Sequence, residues 1–213
     1  MHLQELLNDL SIYSILLPLI TGCCLLKYIS RDSYLVLGVV VLAAVPQLLK
    51  PLELNDRLEA AIYNLYTLCE FILFFILFNS KIYHPLRKRI MFTTFITGLL
   101  LIIFCIIWFG IKGRFYHELV CLTNLLYTSW ILLVILDQYE TEDAKIGTST
   151  PFFWYLTGLL FYAPCTIFVF SLWNYIEDHQ ESPLKIIHNI FNLTMYILFT
   201  KGIWKDYQVN KKP

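Results

Sequence analysis

The chain has 213 residues, of which 58% are hydrophobic, 16% aromatic and only 15% charged, with a mean hydropathy of +0.62. A soluble domain of this size carries about 25% charged residues, so the composition argues against one and for an integral membrane protein. The formal net charge of zero gives no bulk attraction to nucleic acid, and direct nucleic-acid contact is not expected.

The opening "MHLQELLND" is acidic and lacks the basic region of a secretory leader, so the first apolar segment is expected to stay as a helix. Crossing a bilayer takes about 20 apolar residues. In chain order the candidate spans are Ser11–Leu26, Ser33–Leu49, Leu58–Phe78, Ile90–Gly110, Tyr116–Leu136, Phe152–Asn174 and Leu184–Trp204. The first two are short and carry Pro18 and Pro46, the sixth carries Pro164, and each proline predicts a kink. A barrel strand would alternate apolar and polar residues, and "LLLIIFCIIWFG" does not. Only a helix closes its own backbone hydrogen bonds in lipid. The predicted fold is therefore all-α: a polytopic membrane protein, one transmembrane domain over residues 1–213, built as a bundle of seven helices.

The loops are short; the longest, "DQYETEDAKIGTSTP", has 15 residues. They leave no room for a soluble catalytic domain, so any output passes through a partner or through the bundle. Lysine and arginine mark the cytoplasmic side. With the N-terminus outside, the inner loops and tail hold 11 such residues, including Arg87, Lys88 and Arg89, and the outer loops hold 5. This places the C-terminus in the cytoplasm of a cell whose inner membrane the chain crosses. The six cysteines all lie in apolar stretches without a C-x-x-C pair, which fits packing rather than disulfides or zinc.

Polar residues inside such spans are costly and face the bundle interior or a wet cavity. The third span places Glu59, Tyr63, Tyr66 and Glu70 on one helical face. The fifth repeats the spacing with His117, Cys121, Asn124 and Thr128, and the seventh with His188, Asn192, Met195 and Phe199. The sixth offers Tyr155, Tyr162 and Cys165 around Pro164. In the outward-N topology Glu70, Asn124, Tyr162 and Asn192 fall near the midplane, while Glu59, His117, Glu118, His188 and Asn189 fall in the outer half. The candidate ligand-binding or polar-core set is Glu70, Asn124, Tyr162, His188, Asn192, Tyr66 and His117. The bland alternative is interhelical hydrogen bonding at about 0.6 kcal/mol each, with a protonated Glu70 donating to Asn124 or to a carbonyl.

Other chemistries find less support. Zinc hydrolysis through His117, Glu118 and His188 lacks an H-E-x-x-H motif. A retinal Schiff base would need a mid-span lysine, whereas Lys201 sits about one turn from the cytoplasmic end, where it should snorkel to the headgroups. Ser129 and Ser171 lack the G-x-S-x-G elbow. No catalytic residue, metal or cofactor is expected. The "RKR" at Arg87 reads as a positive-inside anchor, near enough to the acidic run at Glu140, Glu142 and Asp143 for the two loops to pair.

"IYNLYTLCEFILFFILF" (Ile62–Phe78) contains an N-x-Y-x-x-x-E-F run. With "FFWYLTGLLFY" (Phe152–Tyr162) and "IIHNIFNLTMYILFTKGIW" (Ile186–Trp204) it resembles small seven-helix membrane proteins of Bacteroidota. Two settings are implied by that resemblance. One is a sensing module that signals to a separate kinase or regulator; the other is the membrane-spanning accessory protein of CRISPR type VI-B loci, encoded beside an RNA-targeting nuclease. The expectation is thus a non-enzymatic sensor or accessory module whose partners are the lipid bilayer, a separate output protein and a further copy of the chain. An intramembrane lipid-modifying enzyme and an oligomeric channel are the rival expectations.

Overall fold

A computed structural model describes residues 2–49, 55–109, 117–140, 147–172 and 183–211, and among them every regular element is a helix. Helices α1 (His2–Ser14) and α2 (Leu16–Leu25), continued by a 3-10 turn at Leu26–Tyr28, form one interrupted rod. The interruption at Ile15 lies one turn before Pro18, whose ring displaces the carbonyl of Ser14 and supplies no N–H to it. The rods that follow are α3 (Arg31–Leu49), α4 (Asp56–Asn79), α5 (Pro85–Phe109), α6 (His117–Glu140), α7 (Pro151–Ser171) and α8 (Pro183–Asn210). Helix α4 starts on Asn55, whose side-chain oxygen accepts the Leu58 N–H at 2.8 Å, an N-cap. Helices α3 and α7 continue through Pro46 and Pro164.

Among the described residues six segments are long and apolar enough to cross a membrane: Leu6–Tyr28, Arg31–Leu49, Arg57–Asn79, Pro85–Trp108, His117–Glu140 and Pro151–Ser171. Several boundaries differ from the sequence reading. The first segment begins before Ser11, because Leu6 and Leu10 already belong to its helix. The fourth helix starts at Pro85 rather than Ile90, and the fifth runs to Glu140, so Asp137 is helical rather than the start of a loop. Gly110, Tyr116 and Asn174, expected at span ends, lie outside the described residues, as do Glu142, Asp143 and Lys145. Helix α8, with 28 residues, is the longest but is not among the six, since His188, Asn189 and Asn192 near its start and Lys205 and Asp206 near its end dilute its apolar run.

The rods follow one another around the bundle in chain order, and α8 closes the circuit by packing on α7 and on both parts of the first rod. Apolar side chains cover the outside as well as the core; Ile107 and Leu100 of α5 are 76% and 61% exposed. This is the surface a hydrocarbon solvent demands. The core between α4, α5 and α6 is aromatic: Phe75 stacks on Phe95 at 3.8 Å, and Phe71 lies 5.1 Å from Trp130. The Trp130 indole N–H donates to Thr94 Oγ1 at 2.9 Å, which satisfies the one polar atom of that buried ring.

The extensive α7–α8 contact rests on small residues, which let helices approach where no hydrophobic force drives them together. A Cβ on Gly158 would stand 3.3 Å from the Phe199 ring, and one on Gly202 would overlap the ring of Tyr155. That ring is buried, and its hydroxyl shares a hydrogen bond of 2.6 Å with Ser33 Oγ on α3, so it has little freedom to move aside.

One end of the bundle is knit by two buried carboxylates. Asp137 on α6 is fully buried and accepts the backbone N–H groups of Tyr83 (2.8 Å) and His84 (3.0 Å) where α5 begins. Arg87 joins it at 3.4 Å and reaches Glu140 at 2.5 Å, the pairing anticipated from the two charged runs. Asp206 on α8, 3% exposed, accepts from the Ser30 N–H and the Ser33 hydroxyl, both at 2.5 Å, where α3 begins. Each carboxylate thus caps a helix that is not its own, at the positive end of that helix's dipole. Lys81 completes this end by pairing with Asp32 and lying 5.2 Å from the Phe152 ring centre.

Two outcomes follow for unfolding in detergent. Asp137→Ala takes the acceptor from two N–H donors at a helix start and lowers stability by about 1–2 kcal/mol, whereas Glu140→Ala, at an exposed carboxylate, leaves the midpoint nearly unchanged. Gly202→Ala costs about 1–3 kcal/mol by overpacking against Tyr155.

Candidate functional site

Glu70 sits in the middle of α4, four residues after Tyr66, whose hydroxyl donates to its Oε1 at 2.7 Å. The two lie one turn apart on the same helix face. Glu70 also stands within electrostatic range of Tyr127 on α6, Tyr162 on α7 and Tyr196 on α8. Helices α7 and α8 do not adjoin α4 around the circuit, so a side chain that reaches their tyrosines points to the bundle centre. Glu70, Tyr66 and Tyr162 are half-buried.

A cavity of about 230 Å³ lies among the first rod, α3, α4 and α8. Asn8 and Ser11 of α1 and Gln47 of α3 line one side; Tyr63 of α4 with His188, Asn189, Asn192 and Tyr196 of α8 line the other. Only Ile12 and Ile15 among the lining residues are aliphatic. Asn192 Nδ2 donates to Ser11 Oγ at 2.9 Å and so ties the first rod to the last helix across this space. Tyr196 belongs to both parts: it lines the cavity and stands in the field of Glu70.

The remaining expected residues spread from this centre. His188 lies 5.8 Å from the Tyr162 ring and 5.7 Å from Phe170, and its buried Nδ1 has no hydrogen-bond partner among the described residues. His117 stacks on the other neighbour of that aromatic chain, 5.6 Å from Phe170, and is turned to α7. Cys121, one turn on, also faces α7, 3.8 Å from the Ile167 carbonyl and from Ser171 Oγ. Asn124 is 4% exposed; its amide donates to its own helix at Val120 O (2.8 Å), and its Oδ1 is unpartnered among the described residues. The bond made to Glu70 therefore comes from Tyr66 of the same helix, not from Asn124. The polar faces of the fifth and seventh spans do not simply meet the third: the fifth turns partly to α7, and Asn192 turns to the first rod.

Tyr196, Ser11, Asn8 and Gln47 were not singled out from the sequence. Tyr196 was within reach, since His188, Asn192 and Tyr196 repeat every four residues; following Asn192 to Met195 selected the neighbouring face. Asn8 was passed over because the first span was begun at Ser11. Lys201 is exposed and lies 3.6 Å from the Trp154 ring centre, at the knit end and away from Glu70. Among the described residues no three His, Cys, Asp or Glu side chains converge as a metal site would require.

The two hydrogen bonds of this region differ in weight. Tyr66→Phe leaves the Glu70 carboxyl without its donor and lowers stability by about 1–3 kcal/mol, while Asn192→Ala costs about 0.6 kcal/mol, both read from unfolding in the same micelles.

No known family model matches the chain, and neither a curated protein nor a solved structure shows significant similarity to it, so its function is argued from this geometry.

Proposed function

We propose that the chain is a non-enzymatic sensor of the cell inner membrane, crossing it seven times with its N-terminus outside and its C-terminus in the cytoplasm. A small solute enters the polar cavity from the outer side, and the result passes to a separate protein at the cytoplasmic end. The observation that carries this reading is the polar-walled cavity among the first rod, α3, α4 and α8. Spaces between the helices of a bundle are common places for ligand sites.

Several features support the details. Helix α8 closes the circuit of rods along its length, which fits a seventh crossing despite its polar residues. The lysine and arginine excess falls on the loops that gather around Asp137 and Asp206, which fits a cytoplasmic face. The first rod and α8 touch at both levels, through Ser11–Asn192 beside the cavity and through Tyr28–Asn210 at the knit end. A shift of α8 on ligand binding would therefore reach the surface open to a partner. The resemblance of Ile62–Phe78 adds one setting, in which the partner is the RNA-targeting nuclease of a type VI-B locus and the chain modulates it.

Two measurements test this. Single cysteines at Asn8 and Asn210 in a cysteine-free chain should label from opposite sides of the membrane; labelling from one side overturns the topology. Co-expressed with the nuclease and its target RNA, or with a kinase encoded beside it, Glu70→Leu should lose the modulation given by the wild-type chain. Unchanged modulation would leave Glu70 a packing residue.

A further inference from the structure

The cavity among the first rod, α3, α4 and α8 has walls of one chemical kind. Four carboxamides, those of Asn8, Gln47, Asn189 and Asn192, line it together with the hydroxyls of Ser11 and Tyr196. Among the described residues no lysine, arginine, aspartate or glutamate does so. Most of these groups are not spent on the fold. Asn192 Nδ2 is bound to Ser11 Oγ, but the side chains of Asn8, Gln47, Asn189 and Tyr196 make no hydrogen bond among the described residues. An amide used to join helices looks different: that of Asn210 donates to the Tyr28 carbonyl and to Asp206.

Such walls select by chemistry. An ion entering them would exchange water for neutral dipoles and find no counter-charge, which is a large penalty. An apolar molecule would displace water from the amides and return no hydrogen bond to them. A carboxamide presents an acceptor and two donors side by side, and a hydroxyl, which both donates and accepts, can answer either. Several hydroxyls on one short carbon chain can therefore meet Ser11 and Gln47 on one wall and Asn189 and Tyr196 on the other. Ile12, Ile15 and the ring of Tyr63 are then available to the carbon-bound hydrogens. Size narrows the choice further. A cavity of about 230 Å³ holds about eight water-sized groups, the size of a four- or five-carbon polyol.

We propose that this cavity binds a small uncharged polyhydroxyl solute, a polyol or a sugar of pentose size, through the free carboxamides of Gln47 on α3 and Asn189 on α8. The inference rests on the sensing reading above and names its ligand class. The hydroxyls can belong to a free solute or to the uncharged sugar headgroup of a glycolipid.

Polyols stabilise many proteins by exclusion from their surface, so binding is read directly rather than from a melting point. The full chain is placed in phosphatidylcholine nanodiscs, and saturation-transfer NMR is recorded for erythritol, xylitol and ribose, with empty discs as the blank. Butane-1,4-diol, erythronate and choline serve as probes with fewer hydroxyls, a negative charge and a positive charge. At least one of the three polyhydroxyl probes should give saturable transfer from the protein. Butane-1,4-diol, which lacks two hydroxyls of erythritol, should bind roughly fourfold or more weakly, a comparison that needs no variant. Gln47→Leu and Asn189→Leu, at side chains without a bond in the fold, should each weaken the polyol roughly two- to tenfold. Lys88→Gln, at the other end, should leave it unchanged. A second set of discs containing a monogalactosyl lipid separates the sources: loss of the polyol signal there identifies the headgroup as the better occupant.

The proposal is overturned if none of the polyhydroxyl probes gives saturable transfer, or if their binding survives Gln47→Leu and Asn189→Leu together. Saturable binding of erythronate, choline or butane-1,4-diol in preference to erythritol would overturn the polyhydroxyl class and leave a solute-sensing cavity standing. Failure of sensing itself would show instead as normal polyol binding, lost in the double variant, with no change in the partner's activity when the polyol is added.

Discussion

Two carboxylates hold one end of this bundle in register, and the positions of the rods depend on them. The start of a helix leaves N–H groups without intrahelical acceptors, and a membrane protein cannot leave them bare near hydrocarbon. Asp137 meets that demand for α5 from α6, and Asp206 meets it for α3 from α8. Each bond fixes both the depth and the rotation of one rod against another. Between them they tie α3, α5, α6 and α8, and the Tyr155 hydroxyl, bound to the same Ser33 that Asp206 holds, adds α7.

The two ends of the bundle consequently differ. At the knit end, carboxylates, backbone donors and cations are matched within hydrogen-bond distance, and Asn210 adds a bond from its amide to the Tyr28 carbonyl at 2.9 Å. Toward the other end, the groups between the first rod, α4 and α8 are neutral amides, hydroxyls and a histidine around open volume. Their bonds are weak individually, and Asn192–Ser11 joins the first rod to α8 there. A bundle fixed at one end and loosely held at the other can respond to a small molecule at the loose end by pivoting about the fixed one.

The helical class and the approximate spans were legible because hydropathy and run length are one-dimensional quantities. So was the pairing of the basic run at Arg87 with Glu140, since opposite charges on one side of a membrane lie close. What the sequence hid is directional. Asp137 was taken for the start of a loop, although Trp130, Val134 and Asp137 continue one helical face, and that face is buried. Asp206 shares a face with Phe199 and Ile203, and the same spacing would have found it. Conversely, matched polar spacing on three spans suggested three faces turned to a common centre. Spacing fixes which residues share a face but not which neighbour that face meets, and the choice between α4 and α7 for His117 and Cys121 was made by the packing of α6 on both.

Comparison of the three carboxylates bears on whether Glu70 is packing or function. A carboxylate kept to join helices would be expected to resemble Asp137 and Asp206: buried, saturated by several donors, and bonded to another helix. Glu70 has none of these marks. Its hydrogen bond comes from Tyr66 on its own helix and joins no second helix, and part of its surface stays accessible. An acid of that kind at mid-span is costly, at least about 2.5 kcal/mol on insertion scales. A glutamine or leucine would fill the same volume with less penalty. The chain already contains two solutions to the problem of holding helices together with a carboxylate, and Glu70 follows neither.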